Sequence, residues 1–131
     1  MYSKNGKKRI LIIEYDDSMS FLLKDFIGQE GCIIDSVDNG LKAIEKLARQ
    51  PVDIIITDIQ MPSLIELDVL PLLKKYQPDV SIIVISAFGG KKTFRRAFER
   101  GATAFMEKPI DLQKLKMLIL DLISSKRSNS N

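Results

Sequence analysis

Five short runs of aliphatic and β-branched residues, separated by longer segments in which apolar residues recur at helical spacing, constrain the fold of this 131-residue chain more than any other feature. The runs cover residues 10–13, 32–37, 52–57, 80–85 and 102–106. Two of them, VDIIIT and VSIIVI, are apolar at successive positions, as expected of central strands covered on both faces. The alternation predicts an α/β fold, a doubly wound five-stranded parallel sheet with helices on both faces.

The helical segments carry their own marks. Met19, Leu22, Leu23, Phe26 and Ile27 share a face of the first, which ends at Gly28 or Gly31. Leu41, Ile44, Leu47 and Ala48 are expected to form the buried face of the second, before Pro51. Pro71 lies in the third, so that helix either begins close to it or bends there. Phe94, Ala97, Phe98 and Gly101 mark the fourth, and Leu112, Leu115, Ile119 and Leu122 the last, with Asp111 as its N-cap. One domain over 9–123 is expected, between a basic extension over 1–8 and a polar tail over 124–131.

Composition narrows the chemistry. The chain has no His, which removes Ser-His and Cys-His hydrolase schemes and histidine metal sites. Its single cysteine, Cys32, makes no internal disulfide and suits a reducing cytoplasm. No apolar run is long enough to span a membrane, and the N-terminus lacks a signal peptide's apolar core, so a soluble intracellular domain is expected. The net charge of +3 is concentrated at the ends, in Lys4, Lys7, Lys8, Arg9, Lys126 and Arg127. Without those six, 14 basic residues face 17 acidic ones and the body carries −3, which weakens a nucleic-acid reading.

In open parallel sheets ligands sit beyond the carboxyl ends of the strands. There this chain places Glu14, Tyr15, Asp16 and Asp17 after the first run, Asp58 after the third, Ser86 after the fourth, and Glu107, Lys108 and Pro109 after the fifth. Each has an ordinary reading: Asp16 or Asp17 as a helix cap, Ser86 as a turn residue, Lys108 as a solvated lysine. Together, carboxylates from two strands suit Mg²⁺, and a lysine and a hydroxyl opposite them suit a phosphoryl group.

RILIIEYDDS, IIITDIQMP, IIVISAFGG and GATAFMEKP, in this order and spacing, resemble the receiver domain of bacterial two-component response regulators. The resemblance spans about 9–123 and implies a flavodoxin-like signalling domain, not an enzyme acting on other substrates. It implies that Asp58 accepts a phosphoryl group from a histidine kinase or phosphotransfer protein. It further implies Mg²⁺ held by Glu14, Asp58 and the backbone carbonyl of Gln60, with Ser86 and Lys108 contacting the phosphoryl group. Pro109 would follow a cis peptide bond, and Phe105 would be the aromatic that turns inward as Ser86 moves.

Two features depart from the family pattern. Tyr15 stands where a second acid would bind the metal directly, and a phenol of pKa about 10 is a poor Mg²⁺ ligand. Asp16, which shares the face of Glu14 if the chain stays extended, is a partial substitute, and weakened Mg²⁺ affinity is expected. After Asp58, Ser63, Ile65 and Glu66 occupy positions where glycine is common, so that loop takes its own path. These departures keep open a degenerate receiver that binds partners without being phosphorylated. A flavodoxin-like cofactor binder is a weaker third reading, because no glycine-rich phosphate loop follows the first strand.

The resemblance places a partner or dimer contact on the face around residues 91–120. There KKTFRRAFER carries Lys91, Lys92, Arg95, Arg96 and Arg100 against Glu99 alone. Direct nucleic-acid binding is not expected without a DNA-binding motif. The chain is expected to be either a single-domain regulator or the receiver portion of a longer one.

Overall fold

The computed structural model describes residues 7–29, 31–59 and 67–129. Strands β1 (Arg9–Ile13), β2 (Ile33–Val37), β3 (Ile54–Asp58), β4 (Ser81–Ser86) and β5 (Ala104–Glu107) alternate with helices α1 (Asp17–Gly28), α2 (Gly40–Arg49), α3 (Val69–Tyr76), α4 (Lys91–Glu99) and α5 (Leu112–Asn129). The strands pair in parallel in the order β2-β1-β3-β4-β5. Winding therefore reverses between β1 and β3, and the crevice at their carboxyl ends is where such sheets bind ligands.

Period-two alternation divides the core between the faces. Leu11, Ile13, Ile55 and Val84 pack on one face with Ala43 and Leu47 of α2, Leu70 and Leu73 of α3 and Ala97 of α4. Ile10, Ile12, Ile54, Ile56, Ile83 and Ile85 pack on the other with Leu23 and Ile27 of α1 and Leu115, Ile119 and Ile123 of α5. The central strands carry aliphatic residues at successive positions, over 54–56 in β3 and 82–85 in β4, because both of their faces are covered.

Local chemistry sets the helix ends. Asn39 caps α2, its side chain accepting the Lys42 N–H at 2.9 Å, and Asp111 caps α5, accepting the Lys114 N–H at 3.1 Å. Pro71 falls in the first turn of α3, where its missing donor has no intrahelical partner to lose. Gly101, just past α4, has φ +112°, a conformation disfavoured for any residue with a Cβ.

One expectation needs correction. The inner face of α2 is the Ala43 and Leu47 row, with Ile44 half-buried beside it, while Leu41 and Ala48 are exposed. Small Ala43 lets the helix lie close to the sheet and turns the larger Leu41 outward. Helix α5 runs through residue 129, with no glycine or proline to interrupt it.

A side-chain clamp fixes the entrance to β3. The Gln77 carboxamide accepts the N–H of buried Val52 at 2.8 Å and donates to the Val52 carbonyl. Gln77→Ala would leave both backbone groups without these partners. It should lower stability by about 2 kcal/mol, read as a shift in the urea midpoint at unchanged m-value.

Candidate functional site

Four strand ends converge on the crevice. β3 ends in Asp58, whose side chain is only 4% exposed, and Lys108, just past β5, reaches it with Nζ 2.6 Å from Oδ2. Burial strengthens this charge-assisted contact relative to a surface pair. The Lys108 backbone N–H donates to the Ser86 carbonyl at 2.8 Å, and the Lys108–Pro109 peptide bond is cis. Ser86 is fully buried, and its Oγ accepts the Phe88 N–H at 3.0 Å. A hydroxyl so held still has its own proton to donate.

Glu14 faces Asp58 from the end of β1. It is buried, its Oε2 accepts the Asp16 N–H at 3.1 Å, and no donor among the described residues reaches its Oε1. Burial, and then the facing Asp58 carboxylate, raise the Glu14 pKa from the ordinary 4.5 to about 7, against the opposing pull of the Asp16 N–H. Two carboxylates share this site, and the cation in contact with them is Lys108, on Asp58.

The first-strand loop separates the sequence candidates. Asp16 is exposed, and its Oδ1 caps α1 by accepting the N–H groups of Ser18 at 2.9 Å and Met19 at 3.3 Å. Its ordinary role as a cap is the one the structure displays. Tyr15 is 63% exposed. Gln60, Ser63, Ile65 and Glu66 lie outside the described residues. Phe105 on β5 is half-buried, its ring 4.4 Å from that of Phe94 on α4, and Phe94 in turn stacks on Phe98.

A cleft of about 280 Å³ opens beside Glu14 and Asp58, walled by Tyr15, Asp38, Asn39, Thr57 and Val69. Asp38 and Asn39 escaped the sequence reading, which passed over the end of β2. The available signal was that they follow Val37 directly, at the same edge as the other candidates.

The donor set fits a hydrated hard cation. Glu14 and Asp58 supply carboxylate oxygens, the Glu14 Oε1 without a donor among the described residues, and Mg²⁺ is commonly held by one or two carboxylates with several waters. No third His, Cys, Asp or Glu completes a metal cluster among the described residues. Likewise, no helix among them is long and apolar enough to cross a membrane.

Residues 10–120 match the family model for the response regulator receiver domain. The chain is 35% identical over 103 residues to the chemotaxis protein CheY of Thermotoga maritima, covering 78% of this chain and 86% of that one. It is 30% identical over 114 residues to the response regulator protein PilR of Pseudomonas aeruginosa, covering 87% of this chain and 26% of PilR. It therefore spans about a quarter of the length of PilR and several similar curated relatives. Among solved structures, the signal receiver domain of a LuxO repressor protein from Vibrio parahaemolyticus superposes with a TM-score of 0.82 at 29% identity, covering 94% of this chain and 95% of that one.

Proposed function

The chain belongs to the response regulator receiver domain family, and on that premise we propose that Asp58 is a phosphoacceptor whose modification switches a partner-binding surface. The observation that carries this reading is the buried Asp58 carboxylate held by Lys108 at 2.6 Å beside the hydroxyl-bearing end of β4. An Asp58 oxygen attacks the phosphorus of a phosphohistidine in line. The O–P bond forms as the P–N bond breaks, and the imidazole leaves with the electron pair and takes up a proton. These 131 residues hold no His, so that imidazole lies outside them, as in a histidine kinase or phosphotransfer protein.

Lys108 neutralises charge on the transferred group, and the Ser86 hydroxyl donates a hydrogen bond to it. Receiver domains generally bind Mg²⁺, which when bound neutralises phosphoryl oxygens. Here Glu14 and Asp58 would hold it, with the Gln60 carbonyl as the third protein donor expected from the family. Its affinity is weakened because Tyr15 supplies no carboxylate and Asp16 caps α1. Ser86 and Phe105 form the switch, which acts on the face built by α4, β5 and α5.

Intact mass after incubation with an acyl phosphate and Mg²⁺ tests this. One phosphoryl group should be gained by the wild type and none by Asp58→Asn. The exposed phenol of Tyr15 favours a second reading, a receiver that binds partners without phosphorylation. No mass gain under conditions that modify an ordinary receiver would select that reading instead.

A further inference from the structure

Helix α3 has two different faces. Leu70 and Leu73 are buried in the core, and Val69 packs beside them. On the outer side Asp68, Leu72, Lys75 and Tyr76 follow one another at i, i+4, i+7 and i+8, a single stripe along the helix. All four are exposed, Leu72 at 46% and Tyr76 at 52%. A Cβ on Gly40 would lie 2.7 Å from Val69 Cγ2, so the start of α2 lies against α3. Leu41, next in sequence on α2, is 69% exposed. An outward-facing leucine on each of two touching helices, with a tyrosine one turn on, is the composition of a contact surface.

The charges along the stripe indicate what covers it. Asp68 stands at its N-terminal end and Lys75 one heptad later, with Leu72 between them. Lys75 makes no ion pair among the described residues, and Asp68 meets Arg100 of its own chain at 2.9 Å. A second α3 laid antiparallel across the first, about a two-fold axis near Leu72, sets each Asp68 against the other copy's Lys75. It sets leucine against leucine at the centre, and the opposed helix dipoles add to the complementarity. A wholly acidic partner would meet Asp68 and a wholly basic one Lys75, whereas the stripe complements its own reverse.

We infer that the α2–α3 seam, centred on Leu72 with Asp68 and Lys75 at its ends, is a self-association surface that pairs two copies of this chain antiparallel. The inference stands apart from the phosphoacceptor reading and from the α4, β5 and α5 face. The seam is short, so the dimer is weak and forms only at high protein concentration.

Sedimentation velocity from about 10 μM to about 1 mM tests it. The wild type should move from monomer to dimer over that range. Leu72→Glu, Lys75→Glu and Asp68→Lys should each weaken association by at least about tenfold, because symmetry places every fault in the interface twice. An equimolar mixture of the Lys75→Glu and Asp68→Lys chains should recover the dimer, since only the mixed pair sets opposite charges together at both ends. Thermal unfolding followed by circular dichroism checks that each variant is folded. A wild type that stays monomeric throughout overturns the inference. So does a dimer that survives Leu72→Glu, or one lost in Arg95→Glu but not in Lys75→Glu, or a folded mixture that fails to recover it.

Discussion

Glu14→Gln is expected to stabilise the metal-free domain at pH 8, by on the order of 1 kcal/mol or more, and to leave its stability nearly unchanged near pH 4. The raised Glu14 pKa, about 7 against an ordinary 4.5, means that the folded state holds a proton there that the unfolded chain has released between those pH values. Stability from this group is therefore complete below pH 4.5 and is lost as pH rises through 7. Burial is the main cause, and the facing Asp58 carboxylate adds to it. A glutamine keeps the neutral form at every pH, and its amide donates toward Asp58. Urea unfolding in a chelator at several pH values from 4 to 8 reads the effect. The two stability curves should diverge as pH rises, and parallel curves would show that Glu14 does not carry this proton.

The parts of the fold legible in the sequence are those where one physical requirement fixes residue type. Strands covered on both faces must be apolar at successive positions, so β3 and β4 stand out, and Asp58 marks the point where that requirement stops. Pro71 and Asp111 act through the backbone within one turn, and their positions follow from local chemistry. The face of α2 was ambiguous because two apolar rows run along it, Ala43 with Leu47 and Leu41 with Ala48. Choosing between them depends on how closely the helix approaches the sheet, which sequence spacing does not record. Asp16 offered a similar choice. A carboxylate two residues after Glu14 shares its face only while the chain stays extended. The chain turns there instead, and Asp16 takes up the first free N–H groups of α1. The Asp58 and Lys108 pair is separated by 50 residues, and only the parallel order of β3, β4 and β5 brings them together.

Restoring an acid beside Glu14 should reveal how much Tyr15 takes from the cation site. Tyr15→Asp is expected to raise Mg²⁺ affinity by tenfold or more, since it turns a neutral phenol at the cleft wall into a third hard carboxylate. The ring is 63% exposed, so its removal costs little packing. Without metal, the new charge joins Glu14 and Asp58 with only Lys108 to balance them. The apo variant should therefore be less stable than the wild type by up to about 1 kcal/mol. Adding Mg²⁺ should reverse that order, because stabilisation grows with the ratio of ligand concentration to dissociation constant. Thermal unfolding across a Mg²⁺ titration measures both effects, and calorimetric titration at pH 8, with Glu14 ionised, gives the affinities directly. Equal affinity in the two proteins would mean that the cation is held without this position. The phenol would then be a neutral wall of the cleft, and the phosphoacceptor reading would lose its reason for expecting a weakened metal site.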